Sequence, residues 1–245
     1  MVITSLNNKH IKEILKLKEK KYRDLEGLFI VETLHLVEEA MKKSNVLEII
    51  VCEGFDYNIF NEVNTIVVTK EIMMKLSSTE SNPRIIGIVK KNVDNNSYGN
   101  KILILDNIQD PGNLGAIVRS AVAFNFDTII LSNDCVDLYN SKVIRASQGM
   151  MFHINIIRRD IIEFISDIKK ENYVIYSTNV NGGINVRDIS ISSKFAFIIG
   201  NEGNGVRDEV NKMCDKFLYI DINKDCESLN ASVAASIIMY ELNNK

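Results

Sequence analysis

The second half of this 245-residue chain contains short, continuously apolar runs that alternate with helical patterns. Strands that are apolar on both faces are typical of a parallel sheet covered by helices on each side. The alternation therefore predicts an α/β domain built on a parallel sheet. The predicted strands are Ile102–Leu105, Thr128–Leu131, Tyr173–Tyr176, Phe195–Ile199 and Phe217–Ile222, with a shorter one at Ile154–Ile157.

The first half of the chain predicts a smaller α/β domain. Its helices are expected at Lys9–Lys20, Leu34–Lys42 and Glu71–Leu76, and its strands at Leu28–Val31, Leu47–Val51, Ile66–Val68 and Ile85–Val89. A polar stretch between two apolar strands marks a linker. The predicted organisation is therefore a domain over residues 1–92, a linker over 93–100 and a second domain over 101–245.

Three loops rich in Gly and Asn accompany the apolar runs of the second half: Asp106–Gly115, Gly200–Gly205 and Glu227–Ser232. Because ligands bind α/β sheets beyond the carboxyl ends of the strands, these loops are expected to form one composite site. Neither a Walker phosphate loop nor a G-x-G-x-x-G fingerprint is present, which argues against the ordinary ATP and dinucleotide sites.

The formal net charge is −3, yet residues 1–23 carry seven Lys or Arg against two Glu. A basic segment in an acidic chain is typical of a face that meets phosphate, although a solvated helix face explains the charge alone equally well. The candidate RNA-binding residues are Lys9, Lys12, Lys16, Lys20, Lys21 and Arg23.

The four cysteines are scattered without C-x-x-C spacing, and the three histidines form no ligand pattern with them. They are interpreted as reduced thiols of a cytoplasmic protein, and no metal site is expected.

The three loops, in this order, resemble the SpoU/TrmH family of RNA 2′-O-ribose methyltransferases. The first matches the family pattern at Asp106, Asp110, Pro111, Asn113, Gly115, Arg119 and Ala121. The second is intact at 200–205, and the third is intact at Ser228, Leu229, Asn230, Ser232 and Ala234. In the first half, Lys21, Arg23 and Phe29–Glu32 look like the family's substrate-binding domain, which is similar to a small ribosomal-protein-like fold.

The resemblance implies methyl transfer from S-adenosylmethionine to a ribose hydroxyl of RNA, with rRNA favoured over tRNA by the N-terminal domain. It also implies a trefoil knot in the C-terminal domain and a homodimer without membrane attachment.

The resemblance further implies two sets of site residues. The catalytic set is Arg119, Asn113, Glu202, Ser228 and Asn230. The cofactor-binding set is Thr178, Gly200, Asn201, Gly205, Ile220, Ile222 and Leu229. Glu202 is chemically the easier proton acceptor, because guanidinium stays protonated in proteins, and Arg119 is suited to stabilising an alkoxide. Which of the two handles the proton stays open.

Simpler interpretations exist for single residues. Asn113 and Ser228 each precede a helical pattern and are also plausible N-caps, Arg119 is also explained as a solvated charge, and the glycines as a turn. The common order of the three loops favours the site over these alternatives.

Three departures from the family pattern stand out. Asp221 replaces a usual Pro and the stretch 223–226 lacks a usual Gly, which favours weaker cofactor binding; Thr33 replaces a common Gly and is expected to be harmless. A non-catalytic RNA-binding or ribosome-assembly protein on the same scaffold is therefore the main alternative, and a small-molecule enzyme with a nucleotide cofactor is a weaker one.

Overall fold

The computed structural model describes residues 2–56, 63–79, 83–92, 97–179 and 182–244. The chain divides into two compact units, Met1–Val93 with Tyr139–Phe152, and Asp94–Leu138 with His153–Lys245. Of the predicted linker, residues 93–96 lie outside the described residues. No helix in the described ranges is long and apolar enough to cross a membrane.

The first unit is a mixed five-stranded sheet in the order β1-β4-β3-β5-β2, with β5 antiparallel to both of its neighbours. Its core lies between the sheet and α1 and α4, where Ile11, Ile14, Ile72 and Met73 are buried. The elements are β1 Val2–Ile3, α1 Lys9–Lys16, α2 Lys20–Glu26, β2 Leu28–Glu32, α3 Leu34–Lys43, β3 Val46–Cys52, β4 Asn64–Val68, α4 Lys70–Leu76 and β5 Ile85–Lys90.

The second unit is an all-parallel seven-stranded sheet in the order β10-β12-β9-β11-β6-β7-β8. Its interior strands β7 and β11 are buried along their whole length, which confirms the prediction of a parallel sheet covered on both faces. Its elements are β6 Lys101–Leu105, α5 Pro111–Ala123, β7 Thr128–Leu131, β8 Asn155–Arg158, α7 Ile161–Lys170, β9 Val174–Thr178, β10 Ile184–Asn185, β11 Phe195–Ile199, α8 Asp208–Asn211, β12 Lys216–Tyr219 and α9 Ala231–Asn243; helix α6, Ser141–Ser147, belongs to the first unit.

Residues 139–152 pack with the first unit, although the sequence places them in the second domain. The reason is aromatic packing. The ring of Phe29 lies 4.6 Å from that of Tyr139 and 6.3 Å from that of Phe152. The chain therefore leaves the second unit after β7 and returns to it before β8.

Two predicted element boundaries are wrong. The helix predicted over Lys9–Lys20 is two helices, because the buried guanidinium of Arg23 binds the carbonyls of Leu17 and Lys18 at 2.9 and 2.7 Å, at the turn between α1 and α2. The strand predicted over Phe217–Ile222 ends at Tyr219, and the three residues that follow form a loop.

Thr33, which stands where the family commonly has Gly, adopts a backbone conformation that favours glycine. Its backbone has φ +85° and ψ 149°, a region that is essentially reserved for glycine. A β-branched residue in this conformation strains the entry to α3.

Candidate active site

The three loops identified in the sequence lie at the carboxyl edge of the parallel sheet. Strands β6 and β11 are neighbours in register, with Leu105 opposite Ile199, so the loops that follow them begin side by side. The third loop leads into α9, which packs against α5, the helix that follows the first loop. The prediction that the loops converge therefore has a direct geometric basis in strand order.

A cavity of about 540 Å³ opens at this edge. Its size is within the range of small-molecule sites. Glu202 and Ser228 of the predicted catalytic set line this cavity. So do all residues of the predicted cofactor-binding set, which are Thr178, Gly200, Asn201, Gly205, Ile220, Ile222 and Leu229.

A chain of three polar side chains joins the loops beside this cavity. The amide of Asn230 donates to Asn113 Oδ1 at 3.0 Å, and Asn113 Nδ2 donates to Glu202 Oε1 at 2.9 Å. The amide orientations are fixed by the helix cap: Asn230 Oδ1 accepts from the backbone N–H of Ser232 at 2.9 Å, so its NH₂ must face Asn113. Asn113 then has its oxygen turned to Asn230 and its NH₂ to Glu202. The result is a carboxylate held at one oxygen by a directed donor.

The helix caps differ from the simpler interpretations of the sequence. Asp110 caps α5 by accepting from the backbone N–H of Asn113 at 2.8 Å, and Asn230 caps α9. Asn113 lies inside its helix and Ser228 lies ahead of the cap, so neither is an N-cap. The side chain of Asn113 therefore does not cap the helix, and it forms the hydrogen bond with Glu202 instead.

Residues Gly200–Gly205 form a closed hairpin that walls the cavity. Asn201 and Gly205 exchange backbone hydrogen bonds of 3.0 and 2.9 Å across its base. A Cβ on Gly200 would lie closer than 3.0 Å to backbone atoms of Gly205 and Val206, so only glycine fits there. The close approach of the two arms is the physical reason for glycine at this position.

Arg119 stands apart from this group. It lies six residues after Asn113 on α5, about 9 Å along the helix axis, and is exposed. It does not line the cavity, and within the part of the chain that the structure describes its side chain makes no hydrogen bond or ion pair. Within a single chain the structure does not bring Arg119 to the Asn230–Asn113–Glu202 contacts.

The departure at Asp221 falls outside the cavity. Asp221 lines a neighbouring groove with Arg187 and Glu241 and is not among the residues that line the cavity. Ile220 and Ile222, on either side of it in the sequence, line both.

The basic residues of the N-terminal segment divide into two groups. Lys9, Lys12 and Lys16 are exposed on α1 within about 60° of its circumference, and Lys20 and Lys21 are exposed on α2. The prediction that Arg23 binds RNA is wrong. Its side chain is buried and binds backbone carbonyls, so it is not available on the surface to contact phosphate.

Sequence reasoning missed several polar residues that line the cavity, among them Asp208 and Asn211. Asn211 accepts from Ser177 and donates to the carbonyl of Val206 at 3.0 Å, which fixes its amide. Close by, burial raises the pKa of the Cys214 thiol to about 11. In the described ranges, no group of three or more His, Cys, Asp or Glu is arranged to hold a metal ion.

Two stretches of the chain match known families. Residues 100–240 match the SpoU rRNA Methylase family, and residues 8–87 match the MRM3-like substrate binding domain.

Individual relatives agree with these matches. The chain is 32% identical over 243 residues to the 23S rRNA (guanosine(2553)-2′-O)-methyltransferase RlmP of Bacillus subtilis (strain 168), covering 98% of each chain. A crystal structure of an RNA 2′-O ribose methyltransferase is 27% identical, with a TM-score of 0.83 over 98% of this chain and 97% of that one. An AdoMet-bound rRNA methyltransferase from Sinorhizobium meliloti shares the fold at 24% identity, with a TM-score of 0.90 over 100% of this chain and 97% of that one.

Proposed function

The chain belongs to the SpoU rRNA methylase family, and we propose that it transfers a methyl group from S-adenosylmethionine to a ribose 2′-hydroxyl of ribosomal RNA. The observation that carries the proposal is the Asn230–Asn113–Glu202 hydrogen-bond chain, which places a carboxylate on the wall of a ligand-sized cavity. The full-length similarity to a 23S rRNA methyltransferase favours large-subunit rRNA as the substrate.

The cavity fits S-adenosylmethionine in size and in lining. Its lining combines polar side chains such as Thr178 and Asn211 with the apolar side chains of Ile220, Ile222 and Leu229. Gly200, Gly203 and Gly205 of the hairpin line the cavity with backbone atoms alone. The cofactor supplies an electrophilic methyl group on a sulfonium centre.

Glu202 is the residue that we assign to the proton of the ribose hydroxyl. Asn113 holds its Oε1 at 2.9 Å, and the side chain is exposed, which leaves Oε2 for a substrate hydroxyl. A positioned carboxylate of this kind contributes about 10²–10⁴-fold to rate. Asn113 and Asn230 orient it, and the hydroxyl is aimed at the cofactor by the RNA-binding surfaces around it.

Arg119 is the residue that we assign to charge stabilisation, across a subunit interface. Its guanidinium is permanently protonated and suited to bidentate contact with a phosphate or to an alkoxide. Because it is exposed and lies outside the cavity of its own chain, we propose a homodimer in which Arg119 of one subunit serves the site of the other. Ser228, which lines the cavity, is proposed to contact the ribose or phosphate.

The region 1–92 is proposed to bind the RNA substrate, consistent with the match of residues 8–87 to a substrate-binding domain. The exposed lysines of α1 and α2 would contact phosphates. The region 101–245 is proposed to contain the trefoil knot of the family, and the protein is proposed to act in the cytoplasm, where ribosomes are made.

The similarity to named methyltransferases favours catalysis over the non-catalytic RNA-binding alternative. The absence of Asp221 from the residues that line the cavity also supports catalysis over that alternative.

Methyl transfer from S-adenosylmethionine to a transcript of 23S rRNA tests the proposal directly. Wild-type protein is expected to bind the cofactor in calorimetry and to turn over. The variant Glu202→Gln is expected to keep cofactor affinity within about threefold while kcat falls by about 10²-fold or more. The exposed Glu209→Gln serves as the control. Unchanged kcat in Glu202→Gln would remove Glu202 from the reaction, and absence of cofactor binding by the wild type would contradict the function.

A further inference from the structure

Asp106 is a buried carboxylate that the reaction scheme does not use. Its side chain is fully buried in the loop that follows β6. Its Oδ1 accepts from Arg207 Nε at 2.8 Å, and its Oδ2 accepts from the backbone N–H of Arg207 at 3.0 Å. A buried carboxylate is costly unless it is paired and hydrogen-bonded, so Asp106 holds Arg207 firmly in place.

Arg207 lies two residues after the second arm of the hairpin. Asn107, the neighbour of Asp106, binds the first arm. The side chain of Asn201 donates to the carbonyl of Asn107 at 2.8 Å. Two adjacent residues of the first loop therefore bind the first arm of the Gly200–Gly205 hairpin and the segment that directly continues its second arm. The contact from Asp106 is the charged one, and its carboxylate is shielded from water.

The hairpin carries both functions of the site. Gly200, Asn201 and Gly205 line the cavity, and Glu202 projects from the turn to Asn113. A displacement of the second arm would enlarge the cavity and move the carboxylate. Misplacement of about 1 Å is enough to cost roughly 10²-fold in an enzymatic rate.

We infer that Asp106 is a positioning residue for methyl transfer: through Arg207 it fixes the second arm of the hairpin and so sets cofactor affinity and the place of Glu202. The inference rests on the function proposed above. In this inference, the role of Arg207 depends on its contact with Asp106. It does not depend on the second contact of Arg207, in which Nη1 donates to Glu209 Oε1 at 3.0 Å.

Calorimetric titration with S-adenosylmethionine tests this inference with four variants. Asp106→Asn places an NH₂ group against one Arg207 donor, and Arg207→Gln removes the charged partner; each is expected to raise Kd by about tenfold, equivalent to ~1.4 kcal/mol. Arg207→Lys keeps the charge and is expected to recover part of the affinity. Glu209→Gln removes only the exposed contact of Arg207 and is expected to change Kd by less than about twofold.

Three readouts separate positioning from a merely structural role. A positioning role raises KM for S-adenosylmethionine and lowers kcat, while KM for RNA stays constant. A structural role lowers the binding stoichiometry of the preparation and leaves Kd of the folded fraction unchanged, which would overturn the inference. If Asp106→Asn fails to fold, Arg207→Lys decides, because it keeps a positive charge opposite the buried carboxylate and the Arg207 side chain is 39% exposed; a Kd equal to that of the wild type would then overturn the inference.

The failure of this inference is distinguishable from failure of the proposed function. Wild-type protein that binds no S-adenosylmethionine contradicts both. Wild-type protein that binds and methylates, together with variants of equal Kd and KM, contradicts only the role of Asp106.

Discussion

Replacement of Gly200 by alanine is expected to open the hairpin and greatly weaken cofactor binding. The added Cβ would approach the backbone of Gly205 and Val206 closer than 3.0 Å, and backbone atoms cannot rotate out of the way as a side chain can. The two arms must therefore separate at the point where they form the wall of the cavity.

The size of the effect follows from the contacts at the base of the hairpin. Ordinary van der Waals contact begins at 3.4 Å, so the arms must move apart by about 1 Å. Overpacking of this kind costs about 1–3 kcal/mol, and weakening the two Asn201–Gly205 hydrogen bonds adds about 1 kcal/mol. If the free protein relieves the clash by opening, cofactor binding must close the hairpin again. The same 2–4 kcal/mol then appears as a rise of roughly 30- to 1,000-fold in Kd.

The assay is calorimetric titration with S-adenosylmethionine, with Gly203→Ala as the matched control. A Cβ on Gly203 would meet only Asn201 Oδ1, at an ordinary 3.5 Å, so this variant is expected to bind within about threefold of the wild type. Both substitutions add one methyl group to the same hairpin, and denaturant unfolding shows whether either has lost its fold. Equal, near wild-type affinity in the two variants would refute the idea that the closed hairpin is a wall of the cofactor site.

Four further outcomes are expected. Arg119→Ala should lower kcat by at least about 10²-fold while sparing cofactor affinity. If Arg119 acts across a dimer, a mixture of the Arg119→Ala and Glu202→Gln variants should recover part of the activity. A mixture no more active than the separate variants would rule out action in trans. Replacement of Lys16, Lys20 and Lys21 by Glu should weaken RNA binding and reduce the slope of log K against log salt concentration by roughly 2–3. An unchanged slope would show that the RNA contacts lie elsewhere on the protein. Thr33→Gly should raise the free energy of unfolding by about 1–2 kcal/mol in urea titrations, and a loss of stability would show that the positive φ is not strained. At pH 8, Cys214, whose pKa burial raises to about 11, should react with iodoacetamide far more slowly than exposed Cys226, and urea should abolish the difference.

Sequence alone was enough for the parallel sheet and for the meeting of the loops. Continuous apolar runs such as Phe195–Ile199 are required when both faces of a strand are buried, so they are visible without a structure. Parallel strands end at one edge, so the residues that follow Leu105 and Ile199 had to be neighbours once these strands paired.

Contacts made by individual side chains were not predictable in the same way. Arg23 reads as a surface cation in a basic segment, yet its guanidinium breaks a helix in two by binding the carbonyls between α1 and α2. The packing of Tyr139 and Phe152 around Phe29 likewise depends on shape, which leaves no periodic signal. The direction of the Asn113 amide needed the cap at Asn230, 117 residues away, before it was determined.

Nucleoside analysis of the RNA product tests the central claim most directly. Purified protein, S-adenosylmethionine and unmodified 23S rRNA transcript are incubated, and the RNA is digested and analysed by mass spectrometry for the position of the new methyl group. The account predicts one 2′-O-methylated nucleoside, formed by the wild type and lost in Arg119→Ala. A methyl group on a base, or no methylation by protein that binds the cofactor, would contradict it.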